Sequence, residues 1–397
     1  MATRRPRSAA FSYAREDGLA DIHALFAAVE RIHPNHLSAF TSAGHYDELK
    51  KAAMAWVERL CADGRISSID LALIAHYCLA SFGDGHTAMH MKGEAEGFLY
   101  RAEHWPPFVL GLRDGVYIVA AATDETVAAG LRPGSAIRTI EGQPISEFLE
   151  PAFLAIPAET DAWRDHAFLG RQDFYYSLTD LFGERTKLRI GLDTGREVAV
   201  ACVPAPVFAG IFEGYKRSLG NRGVQAGSMS NPAEGIVVFS YTAFDISRTA
   251  LARIDQVMDY AGTKNARHLI IDLRHNGGGN SSAGDYLIDY LWAEPYRQFR
   301  AVVTRYSKDV MDEFGFKPVM VGAEAGSVVR YEGMMQKPKR REPFFSGQLH
   351  LVIGPGTFSS ASGFATTVQD FSMGELWGYE TGGARSCHGD VFSTRLP

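Results

Sequence analysis

The sequence predicts a multidomain α/β protein with a helical N-terminal part, a β-rich middle and a C-terminal α/β core. Apolar residues recur at helical spacing through residues 17 to 81. Short β-type runs separated by glycine turns fill residues 105 to 205. From Gly235 onward strand-like and helix-like segments alternate, the pattern of a mainly parallel sheet covered by helices.

In the first part, "LADIHALFAAVERI" places Leu19, Ile22, Leu25, Phe26 and Val29 on one helical face. "HYDELKKAAMAWVERLCADG" repeats the pattern and is expected to stop at Gly64. "SSIDLALIAHYCLASFGDG" opens on serine caps and closes in a glycine turn. The middle begins with "FVLGLRDGVYIVAAA", two runs split at Asp114-Gly115. "AAGLRPGSAIRTIEGQPISEFL" alternates short elements with turns, and "KLRIGL" with "REVAVACV" reads as a hairpin through Asp193 to Gly195. "GNRGVQAGSMSNPAEG" reads as a loop. In the core, "GIVVFSY" and "HLIIDL" read as strands around the amphipathic "SRTALARIDQVMDYAG". "RHNGGGNSS" is a glycine turn before "AGDYLIDYLW", and "HLVIGPGTFSSASGFATTVQDF" again runs strand, turn, helix. In such sheets ligands bind beyond the carboxyl ends of the strands, where both turns fall. The domains are expected at 17–92, 100–205 and 206–397.

The bulk numbers exclude several classes. A net charge of −6 offers no basic field for nucleic acid. No apolar run reaches the ~18 residues of a membrane span. The basic "MATRRPRSAAFSYARED" has no apolar stretch behind its arginines, so no signal peptide and a cytoplasmic location are expected, unless a leader has been removed. Cys61, Cys78, Cys202 and Cys387 stand far apart without CxxC or zinc spacing, and HExxH is absent. No cofactor and no metal are expected.

Two turns could carry chemistry. Three successive glycines in "DLRHNGGGNSS" let the backbone approach a ligand, and the following helix adds its positive dipole end. That can hold an oxyanion or serve as a plain tight turn. The turn lacks the GK[ST] of a Walker loop, and Ser282 stands where GxGxxG needs glycine. In the second turn Ser359 or Ser360 starts a helix after a strand. That geometry exposes a hydroxyl as in a nucleophile elbow or merely caps the helix. A serine nucleophile needs a base. His86, in the glycine turn "FGDGHTAMH", is the candidate, with His90, His275 and His388 as competitors.

"FGDGHT", "LIIDLRHNGGG", "GPGTFSSASGFA" and "WGYETGG" occur in that order, and together they resemble the tail-specific protease and tricorn-core family of serine peptidases. "AAGLRPGSAIRTIEGQPI" resembles the PDZ-like module of that family. The resemblance runs from about residue 17 onward and implies a ClpP/crotonase-like catalytic core. It makes Ser359, six residues before Ala365, the nucleophile, with Ser360 the runner-up. The Ser360 N–H becomes one oxyanion donor and Gly278 or Gly279 the other. The family's lysine position falls on Ala384 beside Arg385, which stays protonated, so the resemblance points to the histidine branch and to His86. Tyr379 stands at a usual glutamate with Glu380 next to it, Ser362 stands at another, and the chain ends at "STRLP" where relatives usually continue. Glu380, Asp84 and Thr87 are the candidates to orient His86.

The implied function is peptide hydrolysis through an acyl-enzyme on a peptide or protein substrate, with a homo-oligomer left open. Two alternatives use the same residues or the same fold: an inactive member binding a peptide or hydrophobic ligand, and an acyl-transfer or cyclising enzyme. A side chain at Gly279 is expected to cost chemistry more than stability, provided φ there is negative.

Overall fold

The helical spacing of the first eighty residues is realised in three helices. In the computed structural model, which describes residues 12–61, 63–89, 104–170, 185–218, 228–315, 322–389 and 392–396, the chain divides into two units. One comprises residues 1–158, 167–222 and 391–397, the other residues 159–166 and 223–390. The N-terminal basic stretch up to residue 11, His90, and residues 220–227 of the expected loop lie outside the described residues.

In the first unit, β1 (Ser12–Ala14) pairs antiparallel with β2 (Arg65–Ser67). Helices Arg15–Ile32, Ala43–Leu60 and Ser68–Ala80 enclose a core of Ile22, Phe26, Val57, Ile74 and Cys78. Ser67 caps the third helix by accepting from the Asp70 N–H. The second helix ends at Leu60, earlier than expected, because Cys61 is already extended. Asp63 and Gly64 then turn the chain into β2 with positive φ.

The β-rich segment follows in the same unit. β3 (Phe108–Arg113) and β4 (Val116–Ala122) form a ribbon, turned by Asp114 and Gly115, both at positive φ. β5 (Ile137–Ile140), β6 (Gln143–Pro144), β7 (Lys187–Leu192) and β8 (Glu197–Ala201) make an antiparallel sheet in the order β6-β5-β7-β8. Helix Ala205–Ser218 covers the ribbon side through Phe208, whose ring stacks on buried Trp105 at 4.9 Å.

The second unit carries the alternating pattern. β9 (Ser228–Ala233), β10 (Ile236–Ser240), β11 (His268–Asp272), β14 (Gln348–Ile353) and β15 (Glu375–Gly378) form one sheet in the order β15-β14-β11-β10-β9. Between β11 and β14 in sequence, β12 (Ala301–Arg305) and β13 (Val328–Glu332) form a separate antiparallel pair. β10, β11, β14 and β15 run parallel, while β9 is an antiparallel edge. β9 corrects the loop expected over its residues. Val237, Phe239, Leu269, Ile271, Leu349 and Leu351 face helices Arg248–Thr263, Ser282–Leu291 and Ser360–Asp370, which supply Ile254, Met258, Leu287, Phe364 and Val368. The carboxyl ends of β11, β14 and β15 each release a loop at one edge of this sheet. Among the described residues no helix is long and apolar enough to cross a membrane.

Candidate active site

The loop after β14 turns at Ser359, which has φ 53 and ψ −128 and directly precedes helix Ser360–Asp370. A side chain other than glycine rarely adopts positive φ, and such residues cost about 1–3 kcal/mol and persist only where neighbours enforce them. Those neighbours are present. Thr357, fully buried, donates its hydroxyl to the Leu273 carbonyl at 2.7 Å and accepts from the Gly354 N–H at 3.1 Å. The Phe358 N–H donates to the Asn276 carbonyl at 3.0 Å. The following helix directs its positive end at Ser359.

The two serines differ. The Ser360 hydroxyl donates to the Gly279 carbonyl at 2.6 Å, tying the serine turn to the glycine turn. The backbone strain sits on Ser359 alone of the pair. Ser362 is buried and donates to the Thr357 carbonyl at 2.9 Å.

The glycine turn lies against this serine turn. A Cβ on Gly278, at φ 94, would stand 2.7 Å from the Ser359 Cβ and 2.9 Å from the Ser360 nitrogen. Gly279 has φ 134, and a Cβ there would meet the Phe244 carbonyl oxygen at 2.2 Å. Gly277 has open space around it and no positive φ. The condition under which a side chain at Gly279 is expected to spare stability, a negative φ, is therefore not met. Asn276 holds the turn: fully buried, it donates from Nδ2 to the Tyr241 carbonyl at 2.8 Å and accepts the Gly278 N–H on Oδ1 at 2.9 Å. That bond occupies the Gly278 N–H. No acceptor for the Gly279 N–H occurs among the described residues, and Gly279 is exposed.

Glu380 is exposed beyond the end of β15. The loop behind it packs in: the Gly383 N–H donates to the Thr357 carbonyl at 3.1 Å, and a Cβ on Gly383 would lie 2.9 Å from the Ser359 nitrogen. His275 is exposed within the glycine turn.

The first unit holds the candidate base. His86 is mostly buried, with Nδ1 3.6 Å from Asp84 Oδ1, and its backbone N–H donates to the same oxygen at 2.8 Å. Thr87 donates its hydroxyl to Asp84 Oδ2. Asn35 donates to His33 Nδ1 at 3.0 Å, so His33 turns its other nitrogen, 3.7 Å away, toward Asp84 Oδ2. Burial would push the Asp84 carboxyl up, but the His33 and His86 imidazoles facing it, with the bonds from the His86 backbone N–H and the Thr87 hydroxyl, outweigh it and hold it well below the usual carboxylate range. Asp84 is therefore a buried anion facing His86 Nδ1. His33, which the sequence reading missed, supports it.

Residues 236–392 match the description "Peptidase family S41". This segment is a peptidase family S41 domain. The chain is accordingly a serine-type peptidase. No curated protein sequence matches it. Mature CPAF complexed with lactacystin is similar in structure, with 14% identity and a TM-score of 0.60 over 96% of this chain and 87% of that one. Mature CPAF gives 13% identity and a TM-score of 0.57 over 92% and 84%. At such identity the likeness concerns the fold. The photosystem II D1 C-terminal processing protease, at 13% identity over 92% and 81%, reaches a TM-score of only 0.39, too low to carry an argument.

Proposed function

We propose that Ser359 is the nucleophile of this peptidase and His86 its general base. The observation that carries the reading is the strained backbone of Ser359 at a strand-to-helix turn, the conformation that lifts a hydroxyl clear of a sheet edge. Ser359 Oγ attacks the peptide carbonyl while His86 takes its proton. Gly279 and Ser360 supply N–H donors to the oxyanion. Gly278 is left out of that pair because its N–H is already given to Asn276. His86 then protonates the leaving amine, and water releases the acyl group. Asp84, rather than exposed Glu380, orients His86: it faces Nδ1 from two residues away and is held as an anion, which favours the tautomer with the proton on Nδ1. In this reading residues 17–92 carry the base and 206–397 the nucleophile. Residues 100–205 form a PDZ-like module that takes an extended peptide by strand addition.

A fluorophosphonate probe tests the assignment. The expected result is a covalent adduct on the peptide containing Ser359, abolished by Ser359→Ala and retained in Ser360→Ala. An adduct that survives Ser359→Ala and disappears in Ser360→Ala moves the role one residue on. No adduct at all favours an inactive member that binds without cleaving.

A further inference from the structure

Residues 159–166 belong to the second unit although the chain on either side of them belongs to the first. They reach the loops that flank Ser359. The Ala384 N–H donates to Glu159 Oε2 at 2.9 Å, and the Thr160 hydroxyl donates to the Gly382 carbonyl at 2.8 Å. Thr160 also accepts the Trp163 N–H at 3.0 Å, which caps the helix Asp161–Gly170. Trp163 then lies flat on Phe358, with ring centroids 4.0 Å apart and planes at 16°. His166 follows one turn on, and a Cβ on Gly356 would come within 2.9 Å of its ring.

We propose that Trp163 and His166 are positioning residues that hold Ser359 in its reactive conformation. The proposal rests on the reading of Ser359 as nucleophile and adds a support to it. Phe358 immediately precedes Ser359, so its side chain fixes where the strained Cα begins. Hydrogen bonds fix the backbone of this turn from the Leu273 and Asn276 side. The Trp163 ring fixes the side chain of Phe358, and the His166 ring occupies the space beside Gly356. A strained residue relaxes when one of its restraints yields. A flat ring of large area, stacked within van der Waals distance, restrains a neighbouring ring more tightly than an aliphatic chain of similar volume. Burial pushes the His166 imidazole down to about 4, with His275 adding to the shift, so His166 is a neutral packing group near pH 7.

The test compares Trp163→Leu, which removes the flat ring together with part of its volume, with Trp163→Phe, which also loses volume but keeps a ring and a stack. Both are made in the full chain. Two quantities are read: the saturating rate of fluorophosphonate labelling at Ser359, and amide hydrogen exchange over residues 356–361. Trp163→Leu is expected to slow labelling about 100-fold, with the probe's half-saturating concentration changed less than about threefold, while Trp163→Phe stays within about threefold of wild type. Exchange over 356–361 rises in Trp163→Leu and not in Trp163→Phe. Equal labelling in Trp163→Leu and wild type overturns the proposal, and so does an equal loss in both variants. If the wild type takes no label, the nucleophile reading fails by itself. Exchange then decides the positioning claim, and identical exchange in all three proteins overturns it.

Discussion

The serine turn and the histidine loop hold their side chains by opposite means. Ser359 is placed by backbone: positive φ, tightly packed glycines and carbonyls that accept from its neighbours. His86 is placed by charge: a buried carboxylate gathers His33, His86 and Thr87 around itself. Strain costs stability at the turn, whereas a fully bonded buried anion costs most when one partner is removed. Substitutions at the two places should therefore shift stability in opposite directions even where both abolish activity.

The largest expected effect is at Ser359. Ser359→Gly should lower peptide turnover on the order of 10⁶-fold, as removal of a nucleophile does. It should also stabilise the fold by about 1 kcal/mol, because glycine accepts positive φ without strain. Calorimetry on the purified variant checks the sign. An earlier melting point would show that the conformation is not strained.

Asp84→Asn should lower turnover about 10⁴-fold, since the imidazole loses the partner that fixes its tautomer. It should also cost on the order of 3 kcal/mol of stability near pH 7. The Asp84 carboxyl is depressed in the folded state. Its contribution is thus complete above the unfolded value of about 3.9 and is lost as pH falls through the folded value. The gap between wild type and variant should be constant from pH 7 to about 5 and narrow only under stronger acid. Melting curves across that range test it. A gap that closes near pH 6 would assign the stabilisation to a histidine instead.

The glycine turn gives a smaller, graded effect. Gly279→Ala should slow labelling about 100-fold through loss of an oxyanion donor and should also melt early, because its Cβ meets the Phe244 carbonyl. Gly277→Ala should leave both labelling and melting near wild type, since nothing lies within 4 Å of its Cβ. Equal damage at the two positions would mean that the turn matters only as chain flexibility.

The alternation of strand and helix after Gly235 was legible because each buried strand face and each amphipathic helix shows its own period. β9 was not. "SMSNPA" is polar and contains Pro232, which a strand tolerates at an edge, where β9 lies. Ser359 and the glycines were legible as positions in turns. Their division of labour was not, because it depends on which N–H Asn276 takes and which hydroxyl reaches Gly279. Asp84 could be named because it shares a turn with His86. His33, Trp163 and His166 left no signal, since their partners lie far along the chain.

The last expected effect concerns His166, leaves activity near pH 7 untouched and appears only on acidification. Its folded value of about 4 lies below the ordinary histidine value of about 6.5. As pH falls through 6.5 the unfolded chain takes up this proton and the folded chain does not. The His166 contribution should therefore be greatest above about pH 6.5, fall as pH drops toward 4, and level off below that, for a total on the order of 3 kcal/mol. This slope lies at higher pH than the loss assigned to Asp84, so the two separate in a pH series. His166→Gln keeps a planar polar group at Gly356 but cannot titrate, and it should flatten the slope between pH 6.5 and 4 without changing the loss at lower pH. A slope that persists in His166→Gln would belong to another histidine, and His166 would then be bound to the turn by more than its neutral ring.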